Sequence, residues 1–255
     1  MHRSTRKVSP TTAGLNYYQK IKPLVSEFDD IDTEFRTGLS QIGGTLTVAT
    51  TEVISQSLIV PNLAGFWATY PTLRLNIHAS SRNSDLLGEM VDCAVRAGKI
   101  VDDNLIHRQI GAYRFWLCAS AELMKNFNIT TPKHLNETAY IGFAHPFGVE
   151  LSANELVFTR NGTREVITPT PILHFDNMDT CKTAILANLG VGVLPQAIAE
   201  PLVQSGLLVR ILPEWDLPSL PVYLAYPQTG RHSVKMKAFS DWLVGLFEQS
   251  EVWRI

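Results

Sequence analysis

The sequence predicts an α/β protein, with a parallel sheet covered by helices, a crossing into a second lobe, and a long helix in front. Three observations carry this. Strand-like and helix-like apolar periods alternate from residue 43 onward, which implies strand–helix–strand units. An aromatic and apolar stretch near the middle, Gly111 to Ala119, reads as a strand passing into a second lobe. Ahead of both, apolar residues recur every three or four positions over nearly thirty residues, the mark of one helix face.

The first seven residues hold His2, Arg3, Arg6 and Lys7. Arg6-Lys7-Val8-Ser9 alternates as a short strand or loop, and Pro10 then precedes a helix start at Thr11-Thr12-Ala13-Gly14. Such a basic segment suits phosphate contact; a solvated basic terminus is the other reading. Thr11 or Thr12 as N-cap, leading straight into a patterned stripe, favours the structured one. The stripe is Leu15, Tyr18, Ile21, Val25, Phe28, Ile31, Phe35 and Leu39, with Lys20, Lys22, Glu27, Asp29, Asp30 and Glu34 opposite. A helix of that length reaches about 40 Å, more than a small domain needs for its own core. It suits burial against the same helix of a second subunit; packing on its own domain is the alternative. Pro23 removes one helix hydrogen bond and predicts a kink or restart.

Gln41-Ile42-Gly43-Gly44 ends the helix. Thr45 to Ala49 reads as a strand, and Ser55 to Thr69 as a helix with Leu58, Leu63, Phe66 and Trp67 on one side. Leu73, Leu75 and Ile77 alternate as a strand, Ser84 to Met90 is helical, and Cys93 to Val95 is a short buried strand. In the second lobe, strands are expected at Tyr140–Phe143, Leu156–Thr159, Ile172–Phe175 and Val191–Leu194. Helices are expected over Met178 to Leu189 and Gln196 to Gln204. Leu220 to Tyr226 is a returning strand, and a last helix runs from Val234 to Phe247, burying Met236, Phe239, Trp242, Leu243 and Leu246.

Composition excludes several classes. The 255 residues are 45% hydrophobic with net charge −2, so the chain is globular and its basic character is confined to the front end. No apolar run is long enough to span a membrane, and the basic, polar N-terminus lacks the apolar core of a secretory signal. A cytoplasmic protein is expected. The three cysteines lie far apart without CxxC spacing, which suits reduced core thiols. Three N-x-T sequons, at Asn128, Asn136 and Asn161, are then chance matches. No catalytic constellation stands out: the histidines show no zinc-type pairing, and GxGxxG, GxxxxGK[ST] and GxSxG are all missing. Neither enzymatic activity nor a metal or cofactor is expected.

The segment Arg3-Ser-Thr-Arg6-x-Val8-x-x-Thr11-x-Ala13-Gly14 closely resembles the wing-to-linker-helix junction of LysR-type transcriptional regulators. GGTLTVATT, FWATYPTLRLNI, VDCAVRAG, LGVGVLP and LLVRILPEW-x-L-P-x-L-PVYLAYP follow in family order and spacing. Pro23 departs from the expected linker helix. The resemblance implies an effector domain of two α/β lobes similar to type 2 periplasmic binding proteins. It implies a wing remnant over 1–12 with the helix-turn-helix ahead of it missing, and a linker and dimerisation helix over 13–42. The effector domain would cover 43–255, with lobe I at 43–118 and 223–255 and lobe II at 119–222. Arg3, Arg6 and Lys7 would touch DNA, and the partners would be promoter DNA, a small-molecule effector and further copies in a homodimer or homotetramer. A solute-binding module, or a shortened regulator that blocks full-length partners by dimerising, remain as alternatives.

Ligands of open parallel sheets sit beyond the carboxyl ends of the strands, beside helix N-termini. Thr50, Thr51 and Glu52 end the first strand, Ser80, Ser81 and Arg82 follow the second, and Phe175, Asp176 and Asn177 end a strand of the other lobe. Free N–H groups there favour an anion, so a small organic acid is expected; ordinary capping is the plainer reading. Glu52 and Asp176 oppose an anion and favour a ligand that also bears a donor or cation. The resemblance adds Arg96, Gly98, Gly142, Phe143, Val193 and Pro195 as pocket-edge residues.

Overall fold

The computed structural model describes residues 2–4, 7–9, 11, 13–14, 17–18, 21, 24–25, 28, 42–80, 91–98, 100, 105–125, 127–143, 155–227 and 233–255. At the front, β1 (His2–Ser4) pairs antiparallel with β2 (Lys7–Ser9), Arg3 opposite Val8. Arg3 and Lys7 therefore lie on the two strands of a ribbon, and Arg6 lies outside the described residues. Thr11 Oγ1 accepts from the Gly14 N–H at 3.1 Å, which caps a helix containing Ala13, Gly14, Tyr17, Tyr18, Ile21, Leu24, Val25 and Phe28. Leu15, Ile31 and Phe35 lie outside the described residues. Tyr17 and Leu24 share the exposed apolar character of Tyr18, Ile21, Val25 and Phe28. Positions 17, 21, 24 and 28 alternate steps of four and three, the spacing of a two-helix seam.

The first sheet has strand order β4-β3-β5-β14-β6. In it, β3 (Gly44–Thr50) lies parallel to β4 (Leu73–Ala79) and β5 (Cys93–Ala97). The strands β14 (Leu220–Pro227) and β6 (Leu105–Tyr113) extend it antiparallel. Leu46, Val48 and Ala49 of β3 are fully buried, as suits a central strand covered on both faces. Helix α1 spans 52–69, with Ser55–Ile59 in wide π geometry between two α segments. It buries Val53, Ile54, Leu58, Ile59, Leu63 and Phe66.

The second sheet has order β11-β8-β12-β7-β13. β8 (Tyr140–Phe143) lies between the parallel strands β11 (Pro171–Phe175) and β12 (Val191–Pro195). β7 (Phe115–Ser120) and β13 (Leu208–Arg210) complete it antiparallel. α2 (Met178–Leu186) and α3 (Gln196–Gln204) pack on this sheet, whereas α4 (Val234–Gln249) packs on the first, with Phe239, Leu243 and Phe247 in one cluster with Phe66. A hairpin of β9 (Leu156–Arg160) and β10 (Thr163–Ile167) covers a second cluster around Phe158, Leu135 and Trp215.

Several expectations need correction. Both sheets are mixed, because β14 pairs antiparallel with β5 and β6 in the first and β7 pairs antiparallel with β12 and β13 in the second. The single strand expected over Gly111 to Ala119 is two, β6 and β7, on different sheets, with Arg114 between them. The chain thus leaves the first sheet at Arg114 and rejoins it at Leu220. Trp67 is 45% exposed, with its indole N–H donating to Leu73 O, so Ile59 and Ile54 take the core role expected of it. β10 and β13 add strands to those expected. The helix expected at Ser84 to Met90 lies outside the described residues. No described helix is long and apolar enough to cross a membrane.

Candidate functional site

The site grows from two strand-to-helix turns. At the end of β3, Thr51 turns the chain into α1, and its Oγ1 accepts from the Ile54 N–H at 3.2 Å. At the end of β11, Asn177 does the same for α2, its Oδ1 accepting from Thr180 N at 3.0 Å. Each cap satisfies one donor of the first turn and leaves others at a positive helix end. The two ends meet: Gln56 Nε2, in the π segment, donates to Asp179 Oδ2 at 3.2 Å in the first turn of α2. This hydrogen bond crosses between the two sheet units. Lys182 Nζ pairs with the other oxygen of Asp179 at 2.7 Å. That hydrogen bond holds the Asp179 carboxyl below its ordinary value near 3.8 against partial burial, with Gln56 and the Lys182 charge adding to it.

The first-sheet candidates come together. Ser80 N donates to Thr50 O at 2.9 Å, and Arg96 Nη1 donates to Ser80 O at 3.3 Å. Thr50, Thr51 and Arg96 are all buried despite their polarity. The Thr50 hydroxyl is one of three buried side-chain polar atoms that lack a hydrogen-bond partner among the described residues. Such a group is costly in a folded chain and marks a place where a partner fits. In the second unit, Phe143 and Phe175 pair in register at the ends of β8 and β11, half-buried, and lead to Asp176 and Asn177.

Other candidates stand apart. Gly98, at φ 92°, donates to Pro221 O and turns the chain out of β5. Gly142 is a packing position, because a Cβ there would lie 2.8 Å from His174 and 2.9 Å from Pro171. Val193 packs on the cluster beneath the hairpin, and Pro195 opens α3. Ser81 and Arg82 lie outside the described residues.

Sequence reasoning missed Gln56, Asp179 and Tyr113. Tyr113, the last residue of β6, is buried, and its hydroxyl lies close to the Thr51 hydroxyl and to Glu52. Burial, more than the nearby Glu52 charge, raises its pKa. Nothing local marks it, since Phe115 and Trp116 follow in the same apolar and aromatic stretch. Cys93, Cys118 and Cys181 are free, buried thiols; burial pushes Cys118 up to about 12 and Cys181 to about 11. Thiols so protonated are poor nucleophiles. No group of three or more metal-ligating side chains gathers among the described residues.

Residues 40–248 match the LysR substrate binding domain, leaving the last seven residues outside the match. The chain is 28% identical over 257 residues to an Escherichia coli K12 protein named as an uncharacterized HTH-type transcriptional regulator, YhjC. That alignment covers 98% of this chain and 83% of the relative. It is 29% identical over 258 residues to an HTH-type transcriptional repressor of Pseudomonas aeruginosa UCBPP-PA14, covering 98% and 78%. Its fold is similar to that of CrgA, a LysR-type transcriptional regulator from Neisseria meningitidis, with TM-score 0.71, 23% identity, and 96% and 82% of the two chains covered. These relatives are named as regulators of transcription, not as enzymes. The matched domain spans both five-stranded sheets and the turns at Thr51 and Asn177, and the chain therefore belongs to the LysR-type transcriptional regulators.

Proposed function

We propose that this regulator senses a small organic acid in the cleft between its two sheet units and relays the binding to promoter DNA. The observation that carries this is the meeting of two capped helix N-termini, one of them directly after Thr50, whose buried hydroxyl has no partner among the described residues. Donors and helix ends of one sign favour a carboxylate, and the Thr50 hydroxyl would give it an orienting hydrogen bond. Glu52, Asp176 and Asp179 line the same turns, so the acid that fits also presents a donor or cation toward them. A ligand touching both units favours the more closed arrangement and shifts the population toward it. The exposed seam of the front helix supports a homodimer or homotetramer, and the basic β1–β2 ribbon supports phosphate contact through Arg3, Arg6 and Lys7.

The test is a thermal-shift screen of small organic and aromatic acids, amino acids and their amides. A ligand at about a hundredfold excess over its Kd stabilises the native state by about 2.7 kcal/mol. A dose-dependent shift that collapses in Thr51→Ala supports the cleft as the site. A shift that survives Thr51→Ala and Thr50→Val unchanged overturns it.

A further inference from the structure

The crossing between the two sheets is held from an unexpected direction. The last residue of β6, Tyr113, pairs with Leu220, the first residue of β14, so both connections between the units pass through one place. The C-terminal residues after α4 wrap around it. Trp253 O accepts from Ala112 N at 2.8 Å, and Arg114 donates to Val252 O at 3.0 Å and Arg254 O at 2.9 Å. Gly111 leaves room for this, because a Cβ there would lie 2.6 Å from Trp253 O and collide with Phe247.

The ring of Trp253, 3% exposed, stacks edge-on to Tyr113 at 5.2 Å and to Phe247 at 5.8 Å. Phe115 lies on Tyr113 from the second unit at 5.1 Å. Tyr113 is thus caged by aromatic rings and its hydroxyl meets Thr51, the residue that caps α1. These tail residues lie outside the part of the chain that matches the family domain.

We propose that segment 250–254 is a strap that clamps the crossing, and that Trp253 is a positioning residue that holds Tyr113 against the Thr51 turn of the cleft. Tyr113 then forms the floor of the ligand site, and the strap sets how freely the two units close over it. The inference rests on reading the cleft as the ligand site only for its functional meaning. The clamp itself is a property of the empty protein and is tested without ligand.

Hydrogen exchange on the full chain decides it. Tyr113→Phe keeps every ring contact and removes the hydroxyl. Exchange over 52–59 is expected to rise about fivefold, as for the loss of one polar contact against the Thr51 turn, while the melting temperature moves little. Trp253→Ala is expected to raise exchange over 52–59 as well as over 105–113, and Trp253→Phe to restore the 52–59 rate. Should Trp253→Ala fail to fold, Trp253→Leu is read in its place. Exchange over 52–59 unchanged in Tyr113→Phe, or in the Trp253 variant while 105–113 loosens, overturns the proposal and leaves the tail as simple packing. Because no ligand is present, a blank in the acid screen and a failure here are separate results.

Discussion

Thr50→Val is the substitution on which stability and function are expected to part. Thr50 ends β3, is 0% exposed, and carries a hydroxyl with no hydrogen-bond partner among the described residues. Valine keeps the β-branched shape that suits a strand and removes only the polar atom. An unsatisfied buried hydroxyl costs about 1–3 kcal/mol. Taking the lower end, because a hydroxyl can rotate toward weak acceptors, the variant gains about 1 kcal/mol. For a chain of this size that is about 2–4 °C in melting temperature. The same gain raises the urea midpoint without changing the slope, since the surface exposed on unfolding is unchanged. A melting temperature that falls by a degree or more refutes the reasoning, because the hydroxyl would then be making a favourable bond in the native state. Any acid that stabilises the parent protein through Thr50 loses part of its shift in the variant, so the more stable protein responds less.

Other expectations follow from the same geometry. Gly111→Ala places a Cβ against the Phe247 ring and 2.6 Å from Trp253 O, and the backbone oxygen cannot yield; chemical denaturation should show a loss of about 1–3 kcal/mol or more. Asp179→Asn removes the charge that pairs with Lys182 and leaves one oxygen to accept from Lys182 or Gln56; with the Asp179 side chain 39% exposed, the loss at neutral pH stays under about 1 kcal/mol. The Asp179 carboxyl is held below its ordinary value near 3.8, so its contribution is present above that pH and fades as pH falls through the lower folded value. Asp179→Asn should flatten that part of the acid limb in a pH series of melting curves, and an unchanged limb counts against the pairing. Phe28→Asp puts a charge in the proposed helix seam, where the native ring is 71% exposed in a single chain. Sedimentation should show dissociation, and an unchanged profile removes that seam from consideration.

The order and kind of most elements are legible in the amino-acid pattern. Leu46, Val48 and Ala49 announce a buried strand, and Met236, Phe239 and Leu243 a helix face, because burial of one face imposes a period that needs no knowledge of the partner. The caps were legible for a similar reason: Thr51 and Asn177 bond to amides three residues away. Asn161-Gly162, between two alternating runs, is an equally local hairpin signal, and reading it only as a sequon leaves out β10.

The remaining features depend on contacts between residues far apart in the chain. β6 and β7 part at Arg114, whose bonds go to Val252 and Arg254 at the other end of the chain, and β7 pairs with β12. Trp67 has the right spacing for the α1 core face, and it is Ile59 and Ile54 that fill the space beneath the sheet. Gln56 meets Asp179, and Trp253 meets Tyr113, only because two sheets and a tail converge. Periodicity records which face of an element is buried; the neighbour on that face is chosen by packing, which no local pattern encodes.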